Sequence, residues 1–222
     1  MRCLTAVAHD TRMSAVAFIH GHAHTPEVWR AVADHLPPAW AVVAPDLFSV
    51  ARVGFDAGAH RHAMAAQINR DLALMGLEEP VLVVSEGLGA IPAIHYALEH
   101  PGRVAGLFVS GPRLSLKRGE SMRLQVSAAL RRKSPTSATS EQVGTYLAGL
   151  VGLDEHDAAT QMDVPRVAIA GEKDSAGTRE AAALKGAGWE HDVALQASED
   201  WYAYAPGAFA ARVAEFAATH DL

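Results

Sequence analysis

Within about four residues the chain changes character: the β-branched run Val81-Leu-Val-Val84 gives way to Ser85-Glu86-Gly87-Leu88-Gly89 and then to a helical pattern from Ala90. This reads as a strand, a sharp turn and a helix. Ser85 is the one hydroxyl on the turn, a candidate nucleophile if it is reachable and a small packing residue if it is not. Twelve histidines come without an H-E-x-x-H or a paired C-x-x-C spacing, so neither a metal nor any other cofactor is expected. The single cysteine, Cys3, cannot close an internal disulfide and has no partner motif that would activate it. Arg131-Arg132-Lys133 reads as a solvated helix end, with recognition of an acidic substrate as the alternative.

The turn resembles the nucleophile elbow of the α/β-hydrolases, whose G-x-S-x-G holds a nucleophile between strand and helix. Aligned on its small residues, Ser85 and Gly89 fill the flanking positions and Gly87 stands at the nucleophile position. Glu86 at the apex would put Val84 and Leu88 at those flanks, a poor steric fit. The distance onward to His100-Pro101 and the next strand supports the same register. Glycine at the apex carries little of the strain that a side chain would bring there.

The resemblance extends along most of the chain after residue 14. His20-Gly21 through Thr25-Pro26 to Trp29 is similar to the family's "H-G-x-x-x-T-P-x-x-W" loop, with Thr25 as N-cap of a first helix. It implies an oxyanion hole built from the backbone N–H groups of His22 and Leu88. Trp40 to Leu47 matches a buried strand, but the loop from Phe48 through Arg52 to Gly54 departs from the family's glycine-rich pattern. Pro165 to Asp174 is similar to the strand that carries the family's triad acid, and Asp174 matches that acid. Counting back from Pro206 and Phe209, Glu199 occupies the place of the catalytic histidine. His191, at the start of the last strand, cannot easily replace it.

A serine-hydrolase route needs a nucleophile, a base and an oxyanion hole. The resemblance leaves the hole and Asp174, without the other two. The leading expectation is therefore a non-hydrolytic enzyme, a lyase, isomerase, decarboxylase or cyclase acting on a small carbonyl-containing molecule. Glu199, Asp174, His22 and His24 are its candidate catalytic groups, and two neighbouring carboxylates would split their pKa values into a donor and an acceptor. Phe48, Ser85, Trp201 and Tyr202 are expected to border the substrate, with Tyr204 nearby. One alternative is an inactive binding or regulatory protein, and another is a hydrolase that activates water through Glu199.

The elements that must position these groups follow from periodicity and the same resemblance. The fold class is α/β, an α/β-hydrolase fold with a mostly parallel sheet flanked by helices. Residues 1–222 are expected to form one domain, with a small helical cap inserted over 114–160. Strands are expected over residues 1–9, 15–19, 40–44, 81–84, 104–110 and 165–171, with a last one from 192. Helices are expected over 60–75, with Met64, Ile68, Leu72 and Met75 on the buried face, over 119–132, from Ser140 to Val151, and over 207–220. A net charge of −6 with no long basic run argues against nucleic acid as the main partner. With no apolar run of 18 residues and no signal-peptide core, a membrane partner is not expected and a cytoplasmic location is. The oligomeric state stays open.

Overall fold

The computed structural model describes residues 15–51, 56–130 and 133–222. The strand expected over 1–9, Cys3, the Arg52 to Gly54 end of the departing loop, and Arg131 and Arg132 lie outside the described residues.

Six parallel strands form one sheet in the order β2-β1-β3-β4-β5-β6. They are β1 (Ala15–Ile19), β2 (Ala41–Val43), β3 (Val81–Glu86), β4 (Val104–Ser110), β5 (Arg166–Gly171) and β6 (Glu190–Ala194). Parallel pairing requires crossovers, and helices supply them on both faces. These are α1 (Arg30–Ala33), α2 (Ala57–Leu74), α3 (Ala90–Glu99), α4 (Arg118–Leu130), α5 (Ser140–Leu150), α6 (His156–Ala159), α7 (Ser175–Lys185), α8 (Trp201–Tyr204) and α9 (Pro206–Thr219). Burial on both faces explains why β3 reads as an unbroken apolar run. Val81 and Val83 join Met64, Ile68, Leu72 and Ile91 on one face, while Leu82 and Val84 join Trp29, Phe209, Val213 and Phe216 on the other.

The element ends differ from the sequence reading in ways that have local causes. Helix α2 begins three residues early because the Asp56 carboxylate accepts the Ala59 N–H at 2.8 Å. It stops at Leu74, so Met75 turns outward and is exposed rather than buried. Pro26–Trp29 is a 3₁₀ turn leading into α1, and Thr25 does not cap it with its side chain. That hydroxyl donates instead to the Thr136 carbonyl at 3.3 Å. The last strand starts at Glu190, two residues before the expected position.

Within residues 114–160, Ser115 and Asp154 form an isolated antiparallel bridge. Thr139 starts α5 with a capping box completed by Gln142. The polar stretch before it is not a free connection. Thr25 N–H donates to Thr136 O at 2.9 Å, Ala138 N–H donates to Ala23 O at 3.1 Å, and His24 bridges Ser137. No helix among the described residues is long and apolar enough to cross a membrane.

Candidate active site

Parallel strands bring their C-terminal ends to one edge: Ile19 pairs with Ser85, Glu86 with Ser110, and Ser110 with Ile169. Neighbours β2 and β3 lie on opposite sides of β1, so the chain order reverses there, the point outside the strand ends where open α/β sheets have their binding crevice. The segments after β1, β3, β4, β5 and β6 supply the site.

Gly87 follows β3 at φ +52° and opens a 3₁₀ turn, Gly87–Gly89, that runs into α3. A Cβ built on it would meet nothing within 4 Å. The cost of a side chain at residue 87 is therefore conformational rather than steric. Gly87→Ser is expected to fold and to lose about 1–2 kcal/mol, read as a lower thermal midpoint. A rise in the midpoint would contradict the elbow register. Leu88 lies in the first turn, whose N–H groups have no acceptor within the helix, as an oxyanion donor requires.

His20 closes the strand before the loop. Its Nδ1 lies 2.8 Å from Gly21 O and its Nε2 accepts the Leu47 N–H at 3.0 Å, which puts the proton on Nδ1. Burial pushes its pKa down to about 4, so the ring is neutral and structural. His22 and His24 are both buried, and His24 meets Tyr202 edge-on with ring centroids 6.1 Å apart.

Glu86 was not among the expected site groups. It is 4% exposed, accepts the Gly21 N–H at 2.6 Å and pairs with the Tyr202 hydroxyl. Burial first, and the Glu86 charge second, hold the phenols of Tyr202 and Tyr146 well above their usual range, so both stay protonated. Tyr146 donates to His20 O at 3.3 Å. A carboxylate closing a strand that is otherwise apolar up to Ser85 is the sequence signal that could have singled Glu86 out.

Arg113 is the second unexpected member. Its backbone N–H donates to Gly87 O at 3.2 Å, and its guanidinium lies 3.4 Å from Glu199, 3.7 Å from Asp174 and 3.2 Å from Glu120. Asp174 is buried, and its side chain caps α7 through the Gly177 N–H at 2.9 Å. Glu199 and Asp174 both face the Arg113 guanidinium, which stands between them.

Next to this cluster lies a cavity of about 60 Å³, lined by His22 and Glu199 together with Leu124, Ser127, Lys133 and Ser137. It joins the loop after β1, the segment after β6 and the inserted helices. That is room for roughly two water molecules, far below the several hundred Å³ of sites for drug-sized ligands. Phe48, Ser85, Trp201 and Tyr202 do not line it. Phe48 packs on His20 and Tyr146, Tyr202 stacks on Trp29, and Trp201 donates its indole N–H to Ser110 at 3.0 Å. Ser85 is fully buried. These side chains are spent on the core, because the strand ends they flank need apolar cover on both faces.

A family model described as alpha/beta hydrolase fold matches residues 14–134, more than half of the chain. Among curated proteins, the coelenterazine h 2-monooxygenase of Renilla reniformis is 26% identical over 96 residues, 42% of this chain and 31% of that protein. The chain thus matches about a third of the length of that relative. Among solved structures, a thermophilic esterase from Thermogutta terrifontis superposes with a TM-score of 0.74 at 17% identity, covering 93% of this chain and 90% of the esterase. The 2-hydroxy-6-oxo-6-phenylhexa-2,4-dienoate hydrolase of Rhodococcus sp. strain RHA1 gives 0.71 at 15%, covering 93% and 91%. At these identities the structural likeness is one of fold.

Proposed function

Because the chain belongs to the α/β-hydrolase fold family, we propose that it is a non-hydrolytic acid–base enzyme that moves a proton next to the carbonyl of a small molecule. The observation that carries this reading is the pairing of His22 and Glu199 on one small cavity beside an elbow whose apex has no side chain. A residue 87 without a hydroxyl cannot form a covalent acyl intermediate, whereas main-chain N–H groups can still stabilise an oxyanion. Glu199 takes the proton from the carbon beside the carbonyl, the enolate oxygen is held by the Leu88 and His22 N–H groups, and the proton is returned to carbon. Arg113 positions Glu199 and compensates its charge, with Asp174 anchoring the guanidinium. His24, packed edge-on against Tyr202, fixes the loop that carries His22. We read residues 114–160 as the cap that limits the substrate to a few heavy atoms.

Solvent exchange tests this directly. With pyruvate, acetoacetate and acetone in D₂O, the protein is expected to accelerate exchange of the carbon-bound protons of at least one, and Glu199→Gln to slow it by about 100-fold or more. A p-nitrophenyl acetate burst would instead support hydrolysis. Exchange no faster than in buffer for every compound would sink the enzyme reading. The cavity's small volume is the observation that favours the second reading, a protein that binds a small ligand without transforming it.

A further inference from the structure

We propose that His62, His95 and Glu99 form a surface site for a divalent cation of the zinc type, separate from the crevice at the strand ends. Helical spacing of four places His95 and Glu99 on one face of α3, and His62 reaches the same point from α2. A Glu99 oxygen lies 2.6 Å from His62 Nδ1 and 2.9 Å from His95 Nε2, and the three ligand atoms all fall within 4.8 Å of one another. Ligand atoms held at 2.0–2.2 Å from one metal stand roughly 3.0–3.5 Å apart, so the Glu99 oxygen must draw back slightly from both imidazoles to admit the ion. His62 is free to adjust with it, its side chain 69% exposed, while His95 and Glu99 are more covered, at 15% and 25%.

Two imidazoles and one carboxylate match the donor preference of zinc-class ions over magnesium or calcium, which favour all-oxygen shells. Solvent at the exposed His62 side can supply the remaining ligand. The neighbouring cation, Arg61, opposes a bound metal, but it is itself paired with the buried Glu155. Glu99 ends α3, about 15 Å of helix from the elbow, so the ion would clamp α2 to α3 rather than touch the candidate reaction.

Zinc titration by calorimetry on the full chain, after dialysis against a chelator, tests the proposal. The expected result is one Zn²⁺ per chain, a thermal midpoint that rises with added Zn²⁺, and affinity weakened at least about tenfold in His62→Ala and in Glu99→Gln. His62 is exposed, so His62→Ala should match the parent's circular dichroism and metal-free midpoint. Should Glu99→Gln fail to fold, His62→Ala decides alone. Absence of binding, or binding of equal affinity in His62→Ala, overturns the proposal and leaves a hydrogen-bonded His–Glu–His cluster.

Discussion

Gly89→Ala is expected to lower the urea midpoint by the equivalent of about 3 kcal/mol with an unchanged slope. The backbone of Gly89 is ordinary, at φ −62°, so the effect is one of space. A Cβ there would stand 2.8 Å from His20 O and 2.9 Å from Ile19 O, main-chain atoms at the end of β1 that no rotamer change can move aside. Relief requires the elbow to lift away from β1. That motion would also separate Leu88 from the His20–His22 loop, so any activity assigned to the site should fall together with stability. Gly87→Ser, two residues earlier, meets open space and should cost less. If Gly89→Ala melted like the parent, the close approach of α3 to β1 would not be what sets the geometry of the crevice.

Acid is expected to destabilise the protein through His20. Its folded pKa is pushed down from 6.5 to about 4 by burial, so between those values the unfolded chain binds a proton that the folded chain does not. Stability therefore rises with pH across this window. The contribution is fully present above about pH 6.5 and is lost as pH falls toward 4, with a total of about 3 kcal/mol. Protonation of Nε2 would also remove the acceptor of the Leu47 N–H. His60 and His95, whose pKa values burial also lowers, add in the same direction. Stability measured by urea unfolding from pH 7 to pH 4 should fall steeply in the parent. In His20→Gln, less stable at pH 7, the slope should flatten by nearly one proton. An unchanged slope in that variant would assign the acid sensitivity to other groups.

The sequence by itself determined the strand–turn–helix at 81–99 and the register that puts Gly87 at its apex. Both follow from local rules: an unbroken apolar run where a strand is buried on both faces, and the need for a small residue where α3 crosses β1. Asp174 after β5 and the capped start of α5 were legible for the same reason, since each depends on residues within a few positions along the chain. What surrounds the apex was decided only by tertiary structure. Glu86 meets Gly21 across 65 residues, and Arg113 meets Glu199 across 86. No spacing rule reaches that far, so a buried carboxylate and the cation between two acids went unread. The aromatic residues Phe48, Trp201 and Tyr202 show the same limit from the other side. Their types fit a pocket wall as well as a core, and their packing on His20, Ser110 and Trp29 made them core. The small size of the remaining cavity is likewise a product of packing, because the stretch 136–138 lies across the loop at 23–25 through main-chain bonds that side-chain identity does not announce.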